Sequence, residues 1–114
     1  MTTSITTHVL DVTRGTPASG VCVVLEVAAD GVVWKELGRG ETDANGRIQD
    51  LVAPNAARKG QYRLTFETGA YFAAQKISTF YPRVTVVFSV LNETEHFHVP
   101  LLLSPYGYST YRGS

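Results

Sequence analysis

The feature that most constrains the fold is a strict two-residue alternation of apolar and polar side chains. Within residues 61–68, Tyr62, Leu64 and Phe66 fall on one side of an extended chain, and the residues between them are polar. Because successive side chains of a strand point to opposite faces, this period predicts a half-buried strand with one wet face. The dominant period of the chain is that of a β-strand.

Five further segments have the length and composition of strands. They are rich in β-branched and aromatic residues, and they cover residues 5–12, 21–28, 33–37, 84–91 and 96–103. Residues that favour turns separate them at intervals of about ten residues. This spacing predicts an all-β sandwich or barrel.

One segment, residues 69–77, departs from the strand period. Its apolar residues recur at helical spacing and are Ala70, Ala73, Ala74 and Ile77. Three alanines in such a pattern favour a single short helix, which we expect to end before Pro82.

Length and charge narrow the class of protein. The 114 residues include ten basic and ten acidic side chains, so we expect one domain spanning residues 1–114. The balanced charge argues against a nucleic-acid-binding module and against a membrane-surface binder, and it favours self-association. Neither a signal peptide nor an apolar run of ~20 residues is visible, so we expect a cytoplasmic protein.

The single cysteine, Cys22, excludes an intrachain disulfide and a cysteine-rich metal site. It stands in an apolar run, which favours a small buried side chain over a nucleophile. The sequence also lacks the Gly-x-Ser-x-Gly, phosphate-loop and His-Glu-x-x-His motifs. Nucleotide hydrolysis, serine-hydrolase chemistry and zinc-protease chemistry are therefore disfavoured.

The segment 96–103 carries the most informative pattern. One face is wholly apolar and is assigned to the core: Phe97, Val99, Leu101 and Leu103. The other face carries His96, His98, Pro100 and Leu102. Such a face suits neither open solvent nor a second core, so we expect a subunit, a ligand or both to cover it. Because proline cannot donate to a ladder, Pro100 must lie at an edge, a bulge or a disrupted pairing.

Several polar residues allow more than one interpretation. His96 and His98 are solvated strand residues, a His-x-His metal pair, or residues that act as a general base or contact a substrate. His8 alone is more typical of a structural histidine, and spacing does not say whether it meets His98. Arg47 follows the turn at 43–46. Its guanidinium is either solvated or binds an anion through two parallel hydrogen bonds.

The C-terminal segment is unusually aromatic. Tyr106 and Tyr108 are expected to close the sandwich. The last four residues, 111–114, have no evident structural need, and their tyrosine and arginine indicate a binding surface.

Together these segments resemble a known family. They are Thr7-His8-Val9-Leu10-Asp11, Arg14-Gly15-x-Pro17-Ala18, Gly46-Arg47, the run from His96 to Tyr106, and Tyr111-Arg112-Gly113-Ser114. In this order, over almost the whole chain, they are similar to the transthyretin-related 5-hydroxyisourate hydrolases. The terminal Tyr-Arg-Gly-Ser is the specific element, since the thyroid-hormone carrier transthyretin lacks it.

The resemblance implies an all-β, transthyretin-like two-sheet sandwich of about eight strands with one short helix. It also implies a homotetramer, a dimer of dimers, with active sites at the mouths of a central channel. The implied reaction is the hydrolytic opening of 5-hydroxyisourate to 2-oxo-4-hydroxy-4-carboxy-5-ureidoimidazoline in urate degradation. No metal or other cofactor is required.

The same resemblance implies the site residues. Those expected to be catalytic are His8, Arg47 and His98, and those expected to contact substrate are Tyr111, Arg112 and Ser114. The two imidazoles would activate water and handle protons, because their ordinary pKa lies near neutral pH. The alternatives are a transthyretin-like carrier of an aromatic ligand and a metal-binding sandwich that uses His96 and His98.

Overall fold

The computed structural model describes residues 4–28, 30–49, 51–53, 57–93 and 95–114. Within them the chain forms β1 Ser4–Asp11, β2 Thr16–Pro17, β3 Cys22–Ala28, β4 Lys35–Glu41, β5 Gly60–Phe66, α1 Thr68–Ala73, β6 Val84–Val90, β7 His96–Ser104 and β8 Gly107–Thr110. The strands make two four-stranded sheets, in the orders β2-β1-β7-β8 and β4-β3-β5-β6. The predicted all-β sandwich with one short helix is confirmed.

The sheets differ in one pairing that matters for the site. β1 and β7 run parallel, whereas the other strand pairs of both sheets are antiparallel. The inward faces of the two sheets supply one apolar cluster, which includes Val9, Leu25, Leu64 and Leu101. β1 and β7 are the two central strands of their sheet. One face of this pair packs against the core, and the opposite face lies outside the sandwich.

The predicted alternations are confirmed in β5 and β7. Tyr62, Leu64 and Phe66 are each 0% exposed. In β7 the residues assigned to the core are all buried: Phe97, Val99, Leu101 and Leu103. A one-residue change of register in either strand would turn these side chains outward, so burial fixes the faces.

The helix exists where it was expected, but the face assigned to it was wrong. Its buried residues are Thr68, Tyr71 and Phe72, and Ala70 and Ala73 are exposed. A six-residue helix has fewer than two turns, so it cannot present an apolar stripe four positions long. The two aromatic rings also bury far more area than the alanine methyl groups, and they decide the orientation.

Three details of the sequence interpretation were incomplete or wrong. β4 begins at Lys35 and runs to Glu41, whereas Val33, in the predicted segment 33–37, is 68% exposed. β2 and β8 are short and largely exposed, and without an alternating apolar pattern they gave no signal. Cys22 is exposed rather than buried, because β3 turns Val23 and Leu25 inward.

The helix of this fold is short. Among the residues that the structure describes, no helix is long and apolar enough to cross a membrane.

Candidate active site

The site is built on the outward face of the β1–β7 pair. The parallel register sets Thr6 beside His98 and His8 beside Pro100. Every second residue of β1 shares the outward face, so Ser4, Thr6 and His8 stand in a row next to the imidazoles of β7. Sequence spacing could not decide whether His8 and His98 share a face, and the register places them there.

A pocket of about 630 Å³ opens on this face; we call it the His98 pocket. Its lining residues are Ser4, Ile5, Thr6, Thr7, Arg47, Ile48, Gln49, Leu51, Val52, His96, His98 and Ser114. The structure therefore brings together three of the predicted site residues, Arg47, His98 and Ser114. His8 lies next along the face, beyond Thr6.

A tight turn holds Arg47 against β1. The Asp43 carboxylate accepts hydrogen bonds from the backbone N–H groups of Asn45 (2.9 Å) and Arg47 (3.0 Å). The Val9 N–H donates to the Gly46 carbonyl at 2.8 Å, and Arg47 pairs with His8 in an isolated antiparallel bridge. Gly46 has a φ of 75°, and a Cβ there would lie 2.3 Å from the Val9 carbonyl oxygen. Glycine is therefore required for the approach that places Arg47 beside His8.

His98 has the most informative environment in the pocket. Its Nδ1 lies 2.8 Å from the Thr6 hydroxyl. Burial, and then electrostatic repulsion from the neighbouring Arg47, His96 and His8, hold the pKa of His98 below its ordinary value. The imidazole is consequently neutral near pH 7 and able to accept a proton. A neutral histidine beside a guanidinium is suited to activating water next to an anionic substrate.

The C-terminal segment covers His98. The Gly113 N–H donates to the His98 carbonyl at 2.8 Å. A Cβ at Gly113 would lie 2.6 Å from His98 Cδ2 and 3.3 Å from Pro100 Cγ. Only a glycine allows the backbone to pack so closely on the imidazole, and this contact brings Ser114 to the pocket.

Tyr111 and Arg112 point to a different place. With Val86, Phe88, Phe97 and neighbours they line a cavity of about 220 Å³, here called the Tyr111 cavity. The Arg112 guanidinium lies 4.6 Å from the centre of the Phe97 ring and 3.9 Å from Glu95. Within this single chain, Tyr111 and Arg112 thus line this cavity rather than the His98 pocket, and the Arg112 guanidinium lies 3.5 Å from the carbonyl oxygen of His96.

Pro100 lies where the β7–β8 ladder stops. The last pair of that ladder is Leu101 with Thr110, and the Thr110 hydroxyl donates to the Pro100 carbonyl at 2.7 Å. The missing N–H of proline thus falls at an interruption of the pairing, as expected.

Sequence reasoning missed four polar residues that line the pocket, Ser4, Thr6, Thr7 and Gln49. Ser4 and Thr6 contact the imidazoles of β7. The signal that could have identified these two is their position on the same face of β1 as His8. Across the described parts of the chain, no cluster of three or more His, Cys, Asp or Glu side chains is arranged to hold a metal ion.

Comparison with known proteins agrees with this fold. Residues 5–113 match the model of the HIUase/Transthyretin family. A 5-hydroxyisourate hydrolase of Salmonella dublin is 52% identical over 107 residues, which cover 94% of this chain and 78% of that protein. The chain belongs to the HIUase/Transthyretin family.

Two solved structures show the breadth of that family. The 5-hydroxyisourate hydrolase of Klebsiella pneumoniae superposes with a TM-score of 0.84 at 40% identity, covering 98% of this chain and 94% of that one. Sea bream transthyretin in complex with thyroxine superposes with a TM-score of 0.90 at 33% identity, covering 96% and 93%. The backbone alone therefore does not separate an enzyme from a carrier, and the side chains of the site must do so.

Proposed function

We propose that this protein is a 5-hydroxyisourate hydrolase, an enzyme of urate degradation. It adds water to the six-membered ring of 5-hydroxyisourate and gives 2-oxo-4-hydroxy-4-carboxy-5-ureidoimidazoline. The observation that carries the proposal is the His98 pocket, in which a neutral imidazole lies near Arg47 under the terminal Gly113-Ser114. Relatives up to 52% identical bear the name of this activity.

The reaction needs a nucleophilic water and a protonated leaving nitrogen. The water oxygen bonds to the ring carbonyl carbon, the ring C–N bond breaks, and the nitrogen takes up a proton as the carboxylate forms. We assign these two proton transfers to His8 and His98, which share the outward face of β1 and β7. The lowered pKa of His98 keeps it available as a base at neutral pH.

Arg47 is assigned to the charge of the substrate. A guanidinium group is a planar cation that can hold an anionic or carbonyl edge through two parallel hydrogen bonds. The turn at Asp43 fixes the backbone of Arg47 before substrate arrives. Little ordering of this loop is then needed in the transition state.

The terminal residues complete the assignment. Ser114 lines the His98 pocket and is proposed to contact substrate directly. Tyr111, 58% exposed, and Arg112 lie at the β8 edge. We propose that they reach substrate across a subunit boundary, in the pocket of a neighbouring protomer.

We further propose that the enzyme is a cytoplasmic homotetramer whose sites lie between subunits. Large aromatic side chains are exposed along the β8 side of the molecule, among them Tyr106, Tyr108 and Tyr111, and such surfaces are typical of protein contacts. Dilution until sizing shows a monomer should abolish turnover. Full specific activity in the monomer would contradict shared sites, and cell fractionation tests the compartment.

One experiment separates the enzyme from a carrier. 5-Hydroxyisourate is generated from urate with uricase, and its ultraviolet decay is followed with and without micromolar protein. Faster decay with the protein supports the hydrolase, and decay at the spontaneous rate contradicts it. A parallel titration with thyroxine tests the carrier, the second candidate, which the superposition with the sea bream complex favours. Tight thyroxine binding without any acceleration would select that function.

A further inference from the structure

A single hydroxyl group links the two imidazoles of β7. Thr6 Oγ1 lies 2.8 Å from His98 Nδ1 and 3.3 Å from His96 Nε2. The two rings are nearly parallel, 12° apart, with their centres separated by 6.4 Å. His96 Nδ1 in turn contacts the Ser4 hydroxyl. Four side chains from two strands thus form one continuous polar row, Ser4–His96–Thr6–His98.

Counting hydrogens along this row restricts its arrangement. A threonine hydroxyl has one hydrogen to donate, and a neutral imidazole has one N–H and one bare nitrogen. If the Thr6 hydrogen points to His96 Nε2, the hydroxyl oxygen accepts the Nδ1–H of His98. If it points to His98 Nδ1 instead, His98 must carry its own proton on Nε2. The two arrangements give His98 opposite chemical properties.

The other nitrogen of His98 favours the first arrangement. In that arrangement every donor of the row has an acceptor: His98 Nδ1 donates to Thr6, Thr6 donates to His96 Nε2, and His96 Nδ1 donates to Ser4. The second arrangement also satisfies the row, because Ser4 donates to His96 Nδ1, His96 Nε2 donates to Thr6, and Thr6 donates to His98 Nδ1. The proton of His98 must then sit on Nε2, where no described residue supplies a hydrogen-bond acceptor. The bare Nε2 of the first arrangement needs none.

We infer that Thr6, backed by His96, is a positioning residue that holds His98 in the tautomer with its proton on Nδ1, which leaves Nε2 as the basic nitrogen. The inference rests on the proposed hydrolase function and extends it, because that function requires a bare imidazole nitrogen to take a proton from water. When His98 takes that proton, its Nδ1–H already has an acceptor in Thr6. The row therefore stabilises the imidazolium without rearrangement.

The neighbouring threonine provides a matched contrast. Thr7 is buried, and its hydroxyl donates to the Val99 carbonyl at 2.7 Å, inside the sandwich. Thr6 is half-buried on the outward face and contacts only the two imidazoles through its hydroxyl, among the described residues. Both threonines lie in β1, so the same substitution at each position separates the role of the hydroxyl at the site from its role in stability.

The test combines nitrogen-detected NMR of the histidine rings with kinetics. At about pH 8, where ordinary imidazoles are neutral, the wild type should show a His98 proton on Nδ1. Thr6→Val should move the population towards Nε2–H and lower kcat by about 10- to 100-fold, the scale observed when the hydrogen-bond partner that orients a metal-bound imidazole is removed, with KM little changed. Thr6→Ser should restore both properties. Thr7→Val should lower the melting temperature and leave the His98 tautomer of the folded protein unchanged.

A second variant, His96→Leu, keeps the test valid if Thr6→Val does not fold. His96 is exposed, and its loss frees the Thr6 hydrogen to turn to His98 Nδ1, so the same tautomer shift is expected. A wild-type His98 with its proton on Nε2 would overturn the inference, as would unchanged tautomer and kcat in Thr6→Val or His96→Leu. The tautomer is measured without substrate. If the wild type does not hydrolyse 5-hydroxyisourate, the proposed function is wrong. The tautomer measurement is independent of that result and tests the role of Thr6 by itself.

Discussion

The two faces of the β1–β7 pair are built from the same strands and the same ladder, yet they have little in common. The inward face buries Ile5, Val9 and Leu101 in the core. The outward face, one residue out of step, carries Thr6, His8 and His98. Alternation along a strand thus assigns stability and chemistry to different side chains of one rigid element.

This division explains why the site is well ordered before substrate binds. The backbone beneath the imidazoles is fixed by burial on the far side, so an outward side chain can be exchanged without opening the core. Polar side chains are concentrated on the outward face, where Gly46 and Gly113 permit close backbone contacts. Substitutions on the two faces should accordingly affect different measurements.

The largest effect should follow from removing an outward imidazole. His8→Ala is expected to lower kcat by about 10²- to 10⁴-fold, the usual contribution of a general acid or base. Its melting temperature should stay close to that of the wild type. Leu10→Ala, two residues along the same face, is the control and should retain turnover. Near-native turnover of His8→Ala would remove His8 from the mechanism.

Gly113→Ala should come next. The added Cβ would meet His98 Cδ2 at 2.6 Å, and the resulting displacement of the imidazole or the tail should cost about 10²-fold in kcat/KM. Gly107→Ala is the matched control, because a Cβ there meets only Ser104 Oγ at 3.7 Å. Equal activity of both variants would show that the tail contact does not position His98.

An inward substitution should give the reverse pattern. Leu101→Ala removes a fully buried side chain and should lower the free energy of unfolding by about 2–5 kcal/mol. Turnover per folded molecule should remain near the wild-type value, as measured by denaturant titration alongside the decay assay. A stable but inactive Leu101→Ala protein would contradict the claim that the inward face determines stability and the outward face determines activity.

The titration of His98 tests the electrostatic properties of the outward face. Its pKa lies below the ordinary 6.5, through burial and then the charge of Arg47. The midpoint of the acid limb of the kcat/KM profile should therefore lie below pH 6.5. Arg47→Gln should raise the pKa of His98, as measured by an NMR titration. Because the unfolded chain binds this proton more readily, the contribution of His98 to stability is lost as pH falls below 6.5. An unshifted or raised His98 pKa would contradict this assignment.

The smallest effect is expected at Cys22. The thiol is exposed on the outer face of β3, so Cys22→Ser should change the free energy of unfolding by no more than about 0.5 kcal/mol. Turnover should not change. A decrease of more than about 2 kcal/mol in the free energy of unfolding, on the scale of a core substitution, would indicate that the Cys22 side chain is buried.

Much of the fold could be predicted because periodicity records burial directly. The alternations in β5 and β7 named the core residues correctly, and the polar outward face of β7 indicated a site. The face of α1 and the exposure of Cys22 were predicted wrongly, since a short helix and an isolated apolar run do not fix which side chains turn inward. The edge strands β2 and β8 carry too little apolar pattern to be detected.

The site was predictable only in part, because its residues meet through the register of distant strands. His8 and His98 lie 90 positions apart, and only the parallel pairing of β1 with β7 sets them on one face. Thr6 carries no motif that marks it, and its relation to His98 appears only when the two strands are in register. The separate positions of Tyr111 and Arg112 likewise depend on how the chain turns after β8.

The central claim is that the outward face of β1 and β7 performs the hydrolysis while the inward face holds the fold. It is tested most directly by the turnover of 5-hydroxyisourate by His98→Ala, measured at the same concentration of folded protein as the wild type. We predict a rate lower by about 10²-fold or more, with an unchanged free energy of unfolding. A folded His98→Ala protein that hydrolyses 5-hydroxyisourate at the wild-type rate would contradict the claim.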